Sequence, residues 1–147
     1  PCEIGQFCSH LFSWEGTGYC RANWLQDTFG NPERTTLIDG GSTESDLIAR
    51  GLGTVPTDIV LSFDLTHDAP NQLTVYLDDP GGEAPVTVWH DETAVGPTIT
   101  AEDLVVGGIP MDDRVNGRWR LIVVDDTAGS GAGTLEGWSL YLGSRLD

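Results

Sequence analysis

The sequence contains no lysine, and its only basic side chains besides histidine are seven arginines, set against 23 aspartates and glutamates. The formal net charge at pH 7 is therefore −16 over 147 residues. A charge of this size and sign repels phosphate backbones and anionic membrane surfaces, which argues against a nucleic-acid partner and a membrane-surface role. Cations are the natural small partners of such a chain.

Long apolar runs are also missing. No stretch approaches the 18 or so consecutive apolar residues that a membrane-spanning helix needs, so we expect no membrane insertion. The opening residues, PCEIGQFCSH, lack the basic start and apolar centre of a secretory signal peptide. The composition, with 39% hydrophobic residues and tryptophans spread along the chain, is typical of a folded domain.

Cysteine is absent after residue 20, while Cys2, Cys8 and Cys20 crowd the first 20 residues. A disulfide between Cys8 and Cys20 is our preferred pairing, and the pairings of Cys2 with Cys8 or with Cys20 stay open. No CxxC pair supports a zinc site. The cluster predicts an oxidising environment, so the protein is expected to be secreted or displayed at the cell surface. The change in composition divides the chain into a cysteine-containing appendage, residues 1–34, and a second region, residues 35–147.

The second region alternates apolar and polar residues with the period of a β-strand. In DIVLSFDLTH, the residues Ile59, Leu61, Phe63 and Leu65 share one face. The same alternation recurs at four other places, with these residues predicted to face inward: Leu73, Val75, Leu77, Val86, Val88, Trp119, Leu121, Val123, Trp138, Leu140 and Leu142. Gly, Pro, Asn and Asp punctuate the runs. Short strands with turns between them and no intervening helices predict an all-β antiparallel sandwich or barrel of about seven to nine strands.

Catalytic motifs are weak in this sequence. There is no GxSxG nucleophile elbow, and His67 and His90 each end a predicted strand, where a structural histidine is the simpler interpretation. With 23 acids, pairs of carboxylates arise by chance, so they do not indicate a glycoside hydrolase. We therefore expect no enzymatic activity.

Acidic doublets in the predicted loops raise the possibility of a metal site. Ca²⁺ binds six to eight oxygen ligands, which loops at strand ends can supply. Our candidate ligands are Asp68, Asp125 and Asp126, and the doublets Asp78–Asp79 and Asp112–Asp113 are further acidic turns. The alternative for each is a solvated turn in which the aspartate binds backbone N–H groups.

One segment carries a family resemblance. NGRWRLIVVDDTAGSGAGTLEGWSLYL resembles the C-terminal signature of the P domain, or homo B domain, of proprotein convertases and bacterial subtilisin-like proteases. The matching positions are Asn116, Gly117, Trp119, Leu121, Val123, Asp125, Gly133, Leu135, Trp138 and Leu140. Upstream, VLSFDLTHDAPNQLTVYLDDPGG is similar to two further strands of that family, with His67 at its histidine position.

The resemblance implies a jelly-roll β-sandwich, similar in shape to galactose-binding domains, that accompanies a protease domain. It predicts a non-catalytic accessory module of an exported bacterial multidomain protein, which stabilises or docks to a neighbouring domain or partner protein. A Ca²⁺-dependent carbohydrate-binding module is the alternative. In that case Trp89 and Tyr141, which lie on the outward phase of their predicted strands, would stack on sugar rings.

Overall fold

The computed structural model of the protein describes residues 24–82, 84–111 and 113–146 completely, and the backbone alone of residues 6–9 and 19–22. Within these ranges eleven strands and one 3₁₀ turn form. The strands are β1 Gln6–Ser9, β2 Tyr19–Ala22, β3 Trp24–Asn31, β4 Thr35–Thr36, β5 Ser42–Ala49, β6 Val55–His67, β7 Leu73–Asp78, β8 Val86–His90, β9 Thr98–Val105, β10 Gly117–Asp125 and β11 Gly133–Arg145. The 3₁₀ turn is Pro70–Gln72, and no described helix has the length and hydropathy of a membrane span.

Two antiparallel sheets form the sandwich. The four-stranded sheet has the order β5-β10-β7-β8, and the five-stranded sheet has the order β3-β11-β6-β9, with β4 also paired to β11. Strands that follow each other in the chain, such as β5 and β6 or β10 and β11, lie in different sheets, which is the interleaved connectivity of a jelly roll. The predicted all-β antiparallel sandwich is confirmed.

The core lies between the two sheets and contains the residues that the alternation placed inward. Leu61, Leu65, Val75, Leu121 and Leu140 are fully buried. The two largest core side chains also satisfy their polar atoms. Trp119 donates its indole N–H to the Val115 carbonyl at 2.9 Å, and Trp138 donates to Ser45 Oγ at 2.9 Å. Each indole therefore contributes its apolar area without an unpaired donor in the core.

One strand of the five-stranded sheet, β3, comes from the range 1–34, which the sequence predicted to be an appendage. Trp24–Asn31 pairs along β11 from Arg145 to Trp138, and its Leu25 and Phe29 pack against the core. This segment had no clear apolar period, because β3 lies at the edge of its sheet and its inward positions are only partly covered: Leu25 and Phe29 are half-buried, and Asp27, in the same phase, is exposed. In the β1–β2 pair, Cys8 lies opposite Cys20. A disulfide between them stays a prediction, since the side chains of these strands and the whole of Cys2 lie outside the described residues.

Trp89 faces inward, contrary to the prediction from the sequence. The register between β7 and β8 shifts so that Val75 lies opposite Trp89 and Tyr76 lies opposite Thr87, which leaves Val88 as an extra residue. Residues directly opposite each other in an antiparallel pair point to the same face, so Trp89 shares the buried face of Val75. The bulge reverses the alternation within VTVWH, and Trp89 packs against the core.

Candidate functional site

At one end of the sandwich, β6 ends, β10 ends and β11 begins within a few residues of one another. His67 is the last residue of β6 and pairs with Gly133, the first residue of β11. Asp125 is the last residue of β10. The side chains of His67 and Asp125 are each 1% exposed, and His67 Nε2 lies 3.2 Å from Asp125 Oδ2. A buried imidazole and a buried carboxylate thus meet beneath the glycine-rich loop of residues 126–132.

Three carboxylates bind the backbone N–H groups of this loop. Asp125 Oδ1 accepts from Thr127 N at 3.1 Å, and both oxygens of Asp125 accept from the Ser130 hydroxyl. Asp39 accepts the N–H of Gly129, and Asp68 Oδ2 accepts the N–H of Ala132, each at 2.9 Å. Because these aspartates come from three separate parts of the chain, the loop is bound along its whole length.

The proton on His67 is placed by its neighbours. The Ala69 N–H donates to His67 Nδ1 at 3.0 Å, so the neutral ring carries its hydrogen on Nε2. That hydrogen lacks the alignment of a hydrogen bond, although Asp125 Oδ2 is 3.2 Å away. The contact is therefore an electrostatic one. An Nε2 that carries a hydrogen has no lone pair for a metal ion, so this tautomer does not suit a metal ligand.

The carboxyl group of Asp125 is held ionised. Burial by itself raises its pKa, because it disfavours the charged form. The Thr127 N–H, the Ser130 hydroxyl and the Gly40 N–H oppose this by donating to the carboxylate, and the electrostatic contact with His67 lowers the pKa further. The net result is a pKa below the ordinary value for aspartate.

His67, Asp125 and the glycine-rich loop all lie within a region of the sequence that matches a known family. The model of the proprotein convertase P-domain matches residues 56–142, which is more than half of the chain. The chain belongs to this family. The P domain of subtilisin-like proteases is a non-catalytic accessory domain.

Solved structures share the fold of this P domain at low sequence identity. The serine protease of Aeromonas sobria is 14% identical, with a TM-score of 0.64 over 83% of this chain and 27% of that one. The same protease in complex with its chaperone gives 13% identity and a TM-score of 0.62, over 84% and 27%. The crystal structure of FlhE is 18% identical, with a TM-score of 0.57 over 84% of this chain and 99% of that one. The P domain thus spans about a quarter of the protease chains it resembles, and no curated protein sequence matches it.

The aspartates predicted to bind Ca²⁺ are brought to this end of the P domain, but each has its own partner. Asp125 is directed at the loop and at His67, while Asp68 binds Ala132. Asp126 is exposed, and its carboxylate accepts from Thr74 Oγ1 at 3.5 Å. Among the described residues, no group of three or more His, Cys, Asp or Glu side chains could hold one ion. Calcium binding stays a prediction.

A second pair of acids, from two doublets distant in sequence, meets at another edge of the P domain. Asp79 is 6% exposed, and its Oδ2 accepts the Gly81 N–H at 2.9 Å. The carboxylate of Asp113 packs against Gly81 so closely that a Cβ there would overlap it. Burial and the neighbouring Asp113 carboxylate raise the pKa of Asp79, and the Gly81 N–H only partly offsets them. No spacing rule links residues 79 and 113, so the sequence alone did not reveal this pair.

Replacing Asp79 with asparagine is expected to stabilise the P domain by about 1 kcal/mol at pH 7. The amide keeps an acceptor for Gly81 N–H and removes the repulsion from Asp113. Because the pKa of Asp79 is higher in the folded protein than in the unfolded chain, the native carboxyl group takes up a proton at a higher pH than the unfolded one. The gain in free energy of unfolding of the variant therefore shrinks as the pH falls through the folded-state pKa. Urea unfolding at pH 7 and pH 4, in excess EDTA, measures both effects.

The matched control removes one acid of the same sign elsewhere. Glu92 is an exposed residue, and Glu92→Gln changes the net charge equally without touching the pair. We expect its stability to stay within about 0.5 kcal/mol of the unmodified protein. A loss of stability in Asp79→Asn at pH 7, or an equal gain in both variants, would contradict our interpretation of the pair.

Proposed function

We propose that this P domain is a non-catalytic module of an exported multidomain protein, in which it stabilises or docks to a neighbouring domain. The observation that carries the proposal is the family match over residues 56–142, together with the fold shared with a region covering 27% of a serine protease. The buried contact between His67 and Asp125 supports the non-catalytic part of this proposal. The one buried His–Asp contact in the described residues is sealed from solvent and bound to its own loop.

The outer faces of the two sheets are the surfaces available to a neighbour. They are formed by continuous strands whose backbone positions are set by the ladder hydrogen bonds, so they present a surface that is arranged before binding. The carbohydrate alternative depended on two outward aromatic rings. Trp89 packs inward, and the Tyr141 hydroxyl is hydrogen-bonded to Gln26 Oε1 at 2.7 Å, so no specific observation favours sugar stacking.

Calorimetry on the longer parent protein tests whether this module stabilises its neighbour. We introduce Leu121→Ala, which removes a fully buried side chain and costs a core about 2 to 5 kcal/mol. If the two domains are coupled, the unfolding transition of the neighbouring domain shifts downward with that of the P domain by several degrees. A neighbouring transition that stays in place while the P domain melts earlier would overturn the proposal.

The control variant is Val95→Ala. Val95 is 89% exposed, so its truncation removes no core contact and is expected to leave both transitions unchanged.

A further inference from the structure

The outer face of the five-stranded sheet contains a groove, which is lined mainly by residues of β6, β9 and β11. Its larger part has a volume of about 640 Å³ and its smaller part about 470 Å³, and the two share Ser62, Asp103 and Ser139. The groove therefore runs continuously across the sheet. The residues on β6 and β11 at its centre are Ser62, Ser139 and Gly137, and their small side chains leave the space that forms the groove.

Two bulges shape this groove. Leu61 and Phe63 of β6 lie opposite Leu104 and Ala101, so β9 contains one extra residue there. Asp103 occupies the bulge with a φ of +51°, the only positive φ of a non-glycine residue in the described ranges, and its N–H donates to Ser62 Oγ at 3.1 Å. On the other side, the register of β11 skips Glu136. Bulges re-aim side chains, and here both extra residues line the groove.

Charge at one end of the groove is unbalanced. Asp64, Glu102, Asp103 and Glu136 line it, and the only arginine paired with any of them in the described residues is Arg34, with Glu136. The outer face of the four-stranded sheet differs. There the acids Glu44 and Asp46 lie beside Arg118 and Arg120 on the neighbouring strand, at 3.2 to 3.7 Å. That face neutralises its own charges, and the groove does not.

The other end of the groove is apolar. Val60, Val105 and Tyr141 line it, and Val105, the last residue of the edge strand β9, is 80% exposed. From Val60 to Asp64 along β6 the distance is about 13 Å, which four or five residues of an extended chain cover. One strand-like segment can therefore contact the apolar end and the acidic end together.

We propose that this groove docks an extended segment of a neighbouring domain of the same protein, with arginine or lysine side chains over the acidic end and apolar side chains over Val60, Val105 and Tyr141. The inference rests on the proposed docking function and names the surface and the chemistry of its partner. Unpaired carboxylates beside a concave, partly apolar surface favour a cationic occupant, because it gains charge complementarity and buries exposed apolar area at once.

The test is an NMR titration of the P domain with a synthetic hexapeptide of three arginines followed by valine, tyrosine and leucine. We expect binding with a Kd on the order of 1 mM or tighter, weakening as salt is added. Shift changes should concentrate at Ser62, Glu102, Asp103 and Ser139. Asp64→Asn combined with Glu102→Gln should weaken binding by about fivefold, since it removes two carboxylates from the groove.

The matched control combines Glu44→Gln with Glu92→Gln, which changes the net charge equally outside the groove and should alter the Kd by less than about twofold. Equal weakening by both double variants would show an effect of net charge alone and overturn the proposal. So would shifts on the four-stranded sheet, no response to the peptide at 5 mM, or a groove that responds to cellohexaose and not to the peptide. None of these results would alter the calorimetric coupling between domains, so the two proposals fail separately.

Discussion

Gly133→Ala is expected to destabilise the sandwich by about 3 kcal/mol or more. A Cβ on Gly133 would lie 2.5 Å from His67 Cδ2, 2.6 Å from the Thr66 carbonyl oxygen and 2.9 Å from Leu37 Cδ1. The carbonyl oxygen belongs to the backbone of β6, the strand that pairs with β11 at this position, so it cannot move without disturbing the sheet. Urea unfolding at pH 7 measures the loss as a lower midpoint with an unchanged slope.

Gly107→Ala is the matched control. No atom lies within 4 Å of a Cβ at Gly107, and its φ is outside the positive range that disfavours alanine. Alanine restricts the unfolded chain more than glycine does, so we expect unchanged stability or a gain of up to about 1 kcal/mol. If both variants lose the same stability, close packing at Gly133 is not the cause.

Asp125→Ala is expected to cost about 3 kcal/mol at pH 7, because it removes a buried carboxylate and leaves the partly buried Thr127 N–H and Ser130 hydroxyl without their acceptor. Asp125→Asn retains one acceptor oxygen and is expected to cost about 1 to 2 kcal/mol. The same variants should speed hydrogen exchange at Thr127, Gly129 and Ala132, since the loop loses its central attachment.

The pH dependence of stability distinguishes the contribution of the negative charge of Asp125 from that of its hydrogen-bonding geometry. Its pKa is lower in the folded protein than in the unfolded chain, so the native carboxylate stays ionised when unfolded aspartates are already protonated. The stabilisation is complete above the unfolded value, about pH 4, and is lost as the pH falls through the folded value. The difference in free energy of unfolding between Asp125→Asn and the unmodified protein should therefore become smaller from pH 7 to pH 3. A difference that stays constant would mean that the negative charge contributes nothing.

The alternation of apolar residues was sufficient to predict an all-β antiparallel sandwich or barrel, because one face of each strand must be buried and the side-chain period is two, and the family resemblance implied the sandwich. Leu61, Val75, Leu121 and Leu140 were placed inward from the sequence and are fully buried. The family resemblance was likewise carried by residues close together in the chain, between Asn116 and Leu142, and the family model confirms it.

The contacts of the candidate site could not be predicted from local sequence patterns. Asp68, Asp125 and Asp126 were predicted as candidate ligands of Ca²⁺, and the alternative was a solvated turn in which the aspartate binds backbone N–H groups. In the structure Asp125 and Asp68 bind N–H groups of residues 127 and 132, contacts that depend on how β6, β10 and β11 end at the same place. The packing of Asp113 against Gly81, which places its carboxylate near Asp79, depends in the same way on two loops that pack together.

By itself the sequence determined the sheet class, the inward faces of β6, β7, β10 and β11, and the family, because all three are recorded in short-range patterns of residue type. Only the tertiary structure decided that Trp89 turns inward, that Trp24–Asn31 joins the larger sheet, and that Asp103 and Glu136 line one groove. The physical reason is that a single bulge reverses the side-chain alternation, and an edge strand or a shared groove depends on residues far apart in the chain. Strand pairing brings those residues together, and no local pattern records it.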